Sequence, residues 1–428
     1  MKSRSMIASL KLLKGNARGC VYTEPLSGIP YNLYAPYISV FMIALGVSDR
    51  QIGLILSVSG GVQLLFALLS GVITDKLGRR RTTLVFDILG WSIPAMISAL
   101  SLNFWWFLVA GLISGVRHVT YNSWACLMVE DTNPDQIIDV YSWVYMAGLV
   151  AGFFAPFAGL LVKSFSLVPT VRGLYIFAAI AFTVKCIATY KMTSETRQGL
   201  IRMQETRGQS VVSALKEYRS VLSQVLHTPQ TLYTAGIMTI MGICYLISGN
   251  FWSIIVTERL HVPAQNLALF PIVKSIVMLL FFFWVIPCLR DLHFRIPLVV
   301  GFLGFALSQF ILVMVSEKGY GLLILNIVLE ACSQAAISPV VDKLYVVTID
   351  PVERARIQSL ILVASILIIS PFGWIAGSLS MMDKRYPFIL NILLFSLAVL
   401  LSYLAGNVSK SREAAAKLQP EMAASQES

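Results

Sequence analysis

The sequence predicts an all-α membrane protein of about twelve spanning helices, arranged as two pseudo-symmetric six-helix bundles. Three observations carry this. The 428 residues are 57% hydrophobic and 13% charged, well under the roughly 25% charged usage of soluble domains, and the mean hydropathy is +0.74. The apolar residues fall into roughly twelve stretches of about 20 residues, the length a helix needs to cross a bilayer core. The longest polar segment, Thr193 to Gln230, leaves six stretches on each side.

In chain order, the stretches lie near 20–46, 51–74, 82–101, 105–129, 137–162 and 173–191, then 232–256, 265–288, 296–315, 320–341, 357–379 and 386–405. Met1 to Gly19 precede them, with Lys2, Arg4, Lys11, Lys14 and Arg18 around Leu10, Leu12 and Leu13. With no small-residue cleavage site after a short apolar core, this reads as an amphipathic lead-in on the lipid surface and not as a removed signal peptide. An even number of spans puts both termini on one side. The N-terminus, the even-numbered loops and the C-terminal tail hold 23 of the 33 Lys and Arg, against 7 in the other loops (Arg50, Lys163, Arg172, Arg259, Lys318, Lys384 and Arg385). Bases concentrate on the cytoplasmic face, so both termini are expected there, in the cell membrane. The net charge of +11 then reflects topology and not nucleic-acid binding.

The expected domains are the lead-in (1–19), a bundle over 20–192, a cytoplasmic linker over 193–230, a second bundle over 231–406 and a tail over 407–428. Within the linker, Val211, Leu215, Tyr218, Val221, Leu222 and Val225 have helical spacing suited to the inner membrane surface. The halves also repeat in degenerate form: Pro287-x-x-x-Asp291-x-x-x-Arg295 lies over Gly71-x-x-x-Asp75-x-x-x-Arg79, and Pro351 and Pro371 echo Pro134 and Pro156. Cys20, Cys126, Cys186, Cys244, Cys288 and Cys332 have no metal-ligand spacing and read as free packing residues.

The connection after the second span, Gly71-Val72-Ile73-Thr74-Asp75-Lys76-Leu77-Gly78-Arg79-Arg80-Arg81, sets one acid among four bases. Gly71 lets another helix come close. Gly78 supplies the positive φ of a tight helix ending, and the arginines suit neighbouring carboxylates. Asp75 is poorly placed at a helix C-terminus and needs a partner. The spacing G-x-x-x-D-x-x-G-R-R resembles the loop between helices 2 and 3 of the major facilitator superfamily of secondary transporters, and the likeness extends from about Arg18 to Gly406. It implies that Asp75 meets the start of the eleventh helix near Arg356 and Ile357, that Arg79 meets Glu130 or Asp131, and that Gly71, Asp75, Gly78, Arg79, Glu130 and Asp131 form a conformational latch.

Inside the spans lie Arg117, His118, Lys185, Lys274 and Glu330, with Glu24 near the inner end of the first. A charge at mid-membrane costs about 2.5–3.5 kcal/mol on insertion scales and faces a cavity or a partner; Lys185, toward an end, can also snorkel. Asn326, Glu330 and Gln334 make one polar stripe, Ser114, Arg117, Tyr121 and Trp124 another, and Glu24, Gly28 and Tyr31 a third, while the seventh span adds Tyr245, Asn250 and Trp252. Aromatic faces with a few polar anchors suit an organic solute. Each aromatic can also be ordinary packing. The candidate solute-binding residues are therefore Glu24, Tyr31, Arg117, His118, Tyr121, Trp124, Tyr245, Asn250, Lys274, Asn326, Glu330 and Gln334. An acid held neutral by desolvation suits a proton carrier, and some proton-linked members of the resembled family keep a glutamate in helix 10, so Glu330 and Glu24 are the candidate coupling residues.

Two departures weaken a drug-exporter reading. Arg117 lies deeper than the family's helix 4 arginine, and Ala151-x-x-x-Ala155-Pro156-x-x-Gly159 carries alanines for two glycines of the exporter motif. With no phosphate loop, H-E-x-x-H or G-x-S-x-G, no enzymatic activity, cofactor or metal is expected. The resemblance implies a monomeric carrier of a small organic solute, working by alternating access and driven by protons; a non-transporting sensor or receptor of the same fold is the alternative.

Overall fold

The computed structural model describes residues 10, 12–133, 136–206, 229–284, 294–317, 319–347 and 354–426, and they form helices and connections with no strand among them. The surface helix expected over Val211 to Leu226, the second-half repeat at Pro287 and Asp291, and Cys288 lie outside the described residues. The chain divides into two compact units, one of Met1–Lys216, Gly249–Ser275 and Ile366–Lys384, the other of Glu217–Ser248, Ile276–Ser365 and Arg385–Ser428.

Among the described residues, ten helices are long and apolar enough to cross a membrane. The stretches expected at 20–46 and 105–129 are helical too, but interrupted, so the described helices are consistent with twelve. The first consists of α1 (Gly15–Thr23), α2 (Pro25–Tyr34), a 3₁₀ turn (Ala35–Tyr37) and α3 (Ile38–Ala44). The breaks fall at Pro25 and Pro36, because proline lacks the N–H that continues a helix and its ring crowds the preceding turn; Pro30 is accommodated within α2.

The described part of the lead-in, from Leu13 on, packs against the protein. Leu13 and Ala17, each 2% exposed, pack with Cys20 and Val21 against Leu127, Met128 and Val140. Asn16 holds the same segment by exchanging hydrogen bonds with the backbone of Ser194 at 3.0 and 2.8 Å. The apolar stripe of α1 begins within the lead-in, so burial wins over the surface position that its bases suggested.

Helix α4 (Asp49–Leu77) runs 29 residues, roughly 43 Å at 1.5 Å per residue. A capping box opens it: the Ser48 hydroxyl accepts from Gln51 N at 3.4 Å and Gln51 Oε1 accepts from Ser48 N at 2.9 Å, satisfying two donors of the first turn. After Gly78 come α5 (Arg79–Asp87), a π-helical turn (Ile88–Ser92) and α6 (Ile93–Leu100). The fourth stretch is α7 (Phe104–Ser114) and α8 (Arg117–Val129), parted at Gly115–Val116. Then follow α9 (Ile137–Gly152), α10 (Ala155–Phe165, with Pro156 in its first turn), α11 (Leu167–Met192) and the short polar α12 (Arg197–Glu205).

The later helices are α13 (Pro229–Ile254), α14 (Phe270–Trp284), α15 (Arg295–Met314), α16 (Tyr320–Val347), α17 (Arg354–Met382) and α18 (Tyr386–Gln426). The second unit is cored by Ile237, Cys244, Phe302, Phe305, Ile337 and Phe395, with Phe305 and Phe395 stacked 4.7 Å apart.

In the first unit, the start of α4 lies backbone to backbone against the final turns of α17. A Cβ on Gly53 would meet the carbonyl of Gly373, and one on Gly377 would meet the Asp49 carbonyl at 2.5 Å. Beside this seam the buried Asp49 carboxylate accepts from Ser380 Oγ and, at 2.6 Å, from Lys384 Nζ. Gly53→Leu must therefore force the two helices apart. The cost expected is about 1–3 kcal/mol, typical of overpacking, read as a lower melting temperature of the purified protein; an unchanged melting temperature would show that the seam is not closed.

Candidate functional site

A cavity of about 570 Å³ lies within the first unit. It is built where helices are irregular. Glu24 sits at the break between α1 and α2, Asp87 ends α5 just before the π-helical turn, Trp91 lies on that turn, and Arg117 begins α8 just after the interruption of the fourth stretch. Lys185 reaches the same space from α11. Interrupted backbone at membrane depth is tolerated where it is buried in protein or lines a cavity, and π-helical turns are frequent at functional sites.

Lys185 Nζ donates to Asp87 Oδ2 at 2.9 Å, with the two side chains 10% and 3% exposed. Lys185 also lies 5.7 Å from the Trp124 ring centre and feels the charge of Glu24 as well as that of Asp87. The snorkelling open to Lys185 on sequence grounds does not occur, because a buried carboxylate lies within reach. Glu24 lines the cavity without an ion pair to any described residue.

Arg117 is held differently. Its guanidinium lies 4.6 Å from the Trp91 ring centre, and its Nε donates to the Ser114 carbonyl at 3.1 Å, an acceptor exposed by the break between α7 and α8. Gly90 makes the room: a Cβ there would meet Arg117 Cγ at 2.6 Å. Among the described residues, no carboxylate pairs with Arg117. Trp91 in turn stands edge-on to Tyr31 at 5.9 Å and to Phe182 at 5.6 Å.

Of the candidate residues, Glu24, Tyr31, Arg117, His118, Tyr121 and Trp124 line this cavity. Its described lining comes from residues 24–186, so Tyr245, Asn250, Lys274, Asn326, Glu330 and Gln334 are not part of it. Buried Asn326 donates to the Ser308 carbonyl at 2.7 Å, tying α16 to α15. Gln334 Oε1 is buried with no hydrogen-bond partner among the described residues, and Glu330 lies half-buried on the same helix. Sequence reasoning did not select Asp87, Trp91 or Phe182 for the cavity. The charge of Asp87 inside an apolar run was the available signal; the two aromatics gave none.

The arginine loop forms a second constellation in the same unit. Arg79, 4% exposed, donates from Nε to both oxygens of Glu130 at 3.1 Å and from Nη1 to Asp75 at 2.9 Å. Asp75 thus has its partner one helical turn away; the side chains of Arg356 and Ile357 lie outside the described residues. Glu195, which the sequence did not single out, accepts from the backbone N–H groups of Arg79 and Arg80 at 2.8 and 3.1 Å. This puts a carboxylate on the positive end of α5. Arg80 donates to the Tyr190 carbonyl at 2.9 and 2.7 Å, and Asp131 accepts from Arg197 N at 3.4 Å. Around Gly71 no described atom lies within 4 Å of where a Cβ would stand, so the close approach expected there is not seen among these residues.

Comparison with known proteins agrees with this architecture. The profile of the Major Facilitator Superfamily matches residues 26–291. The chain belongs to the major facilitator superfamily. An uncharacterized MFS-type transporter of Bacillus subtilis (strain 168), YqjV, is 29% identical over 127 residues, which is 29% of this chain. The match spans about a third (31%) of that relative's length. Among solved structures, the nucleoside transporter NupG superposes with a TM-score of 0.68 at 12% identity, covering 92% of this chain and 98% of NupG. A POT family transporter in complex with 5-aminolevulinic acid gives 0.66 at 14%, covering 91% and 94%. A bacterial homologue of the human lysosomal transporter Spinster, inward-facing and unoccupied, gives 0.66 at 13%, covering 92% and 96%. At these identities the likeness establishes the fold: the protein is a multi-pass, all-α membrane protein of the major facilitator type.

Two outcomes follow from the geometry. Lys185→Ala leaves Asp87 buried without its partner and should cost about 3–5 kcal/mol, whereas pairing it with Asp87→Ala should recover most of that loss; additive melting shifts in the double variant would exclude a functioning pair. Gly78 has φ 83 and ψ 158, a conformation essentially restricted to glycine, so Gly78→Ala should cost about 1–3 kcal/mol. Its Cβ would also crowd Glu195 Oε2 at 2.6 Å, and retention of the wild-type melting temperature would remove the conformational argument.

Proposed function

We propose that the protein is a secondary active transporter, not an enzyme, that moves a small organic solute across the cytoplasmic membrane by alternating access with proton coupling. The observation that carries this reading is the cavity of about 570 Å³, which brings together aromatic walls and two charges, Glu24 and Arg117, that the described protein leaves without an ion partner. Pockets of this size hold organic ligands. Membership of a transporter family supports the same reading.

On this proposal both termini are cytoplasmic, and the six-helix bundles at 20–192 and 231–406 work as a monomer joined by the 193–230 linker. The arginine loop is the latch. Its network of Arg79, Asp75 and Glu130 draws one cation between two carboxylates, and Asp75, 28% exposed in its side chain, is the member open to exchanging partners during the cycle. In the second half, Tyr245, Asn250, Lys274 and Gln334 are the candidate solute-binding residues, and Asn326 braces α16. Glu330, half-buried on α16, is the coupling acid. Glu24 is the second acid on the path.

Uptake into proteoliposomes under an imposed pH gradient, across labelled organic acids, sugars, nucleosides, peptides and drugs, tests the reading. At least one solute should accumulate, and collapse of the gradient should abolish accumulation. Glu330→Gln should lose pH-driven accumulation while retaining solute exchange, since exchange does not require the site to deprotonate. Accumulation by that variant would transfer the coupling role to Glu24. Ligand binding without movement of any solute would favour a sensor of the same fold.

A further inference from the structure

The charges around the cavity do not cancel in the same way. Asp87 and Lys185 are joined at 2.9 Å and form one neutral unit. What remains without an ion pair among the described residues is one carboxylate, Glu24, which Lys185 still influences at longer range, and one guanidinium, Arg117. An ionised group in a poorly solvated wall is costly unless something answers it, and the described protein provides nothing that ion-pairs with either.

The form of each group says what would answer it. Arg117 has its Nε occupied by the Ser114 carbonyl and one face covered by Trp91, leaving its two terminal nitrogens, the fork that grips a carboxylate with parallel hydrogen bonds. Glu24 accepts only, so its complement is an ammonium. Tyr31, which stands edge-on to Trp91 beneath Arg117, lies about two turns beyond Glu24, on the order of 10 Å along a helix. Across a spacing of that order an α-amino acid, whose amine and carboxylate share one carbon, does not reach both. We infer that the solute of this cavity is a linear zwitterion, its carboxylate on Arg117, its amine on Glu24, and an apolar or aromatic body lying along Tyr31 and Trp91. This rests on the transport reading only in taking the cavity as the solute site.

The test uses the purified full-length protein and thermal shift with phenylalanyl-alanine and 4-(aminomethyl)benzoate, because a ligand that binds only the folded form raises the melting temperature. The comparison ligands are the N-acetylated and C-amidated forms of the dipeptide, free phenylalanine, and uridine as an uncharged ring compound. At least one linear zwitterion should stabilise the protein and bind about tenfold or more tighter than either capped form, as loss of a charge-assisted contact predicts. Arg117→Gln should erase the preference for the free over the amidated carboxylate, and Glu24→Gln the preference for the free over the acetylated amine. These are ratios within one variant, read after its unliganded melting curve shows a folded protein. If neither zwitterion stabilises the protein, or capped forms or uridine do so equally, the inference is overturned. Accumulation of some other solute in proteoliposomes would then leave the transport proposal standing. Tight binding of the zwitterions without their movement across the bilayer would have the opposite meaning.

Discussion

A charge placed among apolar helices has to be neutralised by a partner or given access to water, and most of the first unit follows from this constraint. Asp87 and Lys185 meet at 2.9 Å although they lie on α5 and α11. Asp49 is closed off by Ser380 and Lys384 at the seam between α4 and α17. Arg79 distributes its donors over Glu130 and Asp75. Each pairing joins separate elements or fixes a helix end, so meeting an electrostatic demand also orders the packing. Glu24 and Arg117 stand apart, and both border the cavity. Beside the close ion pairs just named, these two take on a different significance.

The helix interruptions serve the same end. A straight helix satisfies its own backbone and offers its carbonyls to nothing else. The breaks after Thr23 and around Gly115, and the π-helical turn at Ile88–Ser92, release or re-aim groups where the cavity needs them: Ser114 gives its carbonyl to Arg117, and Trp91 is turned beneath the guanidinium. Pro25, Gly90 and Gly115 cost helix propensity, and each lies within two residues of a residue that lines the cavity. The regular helices α4 and α11 supply the rigid frame.

How much of this was legible in the sequence depends on the range of the interaction. Local signals carried well: the length and spacing of the apolar stretches, Gly78 at a positive φ, and the stripes that place Glu24 with Tyr31 and Arg117 with Tyr121. Ser48 and Gln51 also contain a capping box that lengthens α4 beyond the apolar run. Interactions between distant segments were not legible. Nothing near Lys185 in sequence names Asp87 as its partner, and nothing near Glu195 says that it caps α5 from 116 residues away. Trp91 and Phe182 look like lipid-facing or packing aromatics, since an apolar ring has the same composition whether it meets lipid, protein or solute. The contacts of Leu13 and Ala17 were not legible for a related reason: whether they meet lipid or protein depends on α8 and α9, which lie more than a hundred residues on.

The arginine loop shows why local and distant signals have to be read together. Asp75 in the last turn of α4 faces the negative end of that helix, an unfavourable place for a carboxylate. Arg79 offsets it from one turn away, but Arg79 also opens α5, where a cation faces the positive end of a helix. Glu195 offsets that second conflict by accepting from the Arg79 and Arg80 backbone, and Glu130, which the Thr196 hydroxyl also contacts, completes the charge balance around the guanidinium. Two residues that each violate the dipole rule in isolation are thus stable only as part of a network whose acids arrive from the ends of α8 and α11. Such a network is sensitive to any motion that separates those ends, because losing one carboxylate restores a conflict instead of merely removing a bond. That sensitivity is the physical property a latch requires, and it is what makes this loop, more than an ordinary cluster of basic residues, a place where conformational change can be governed.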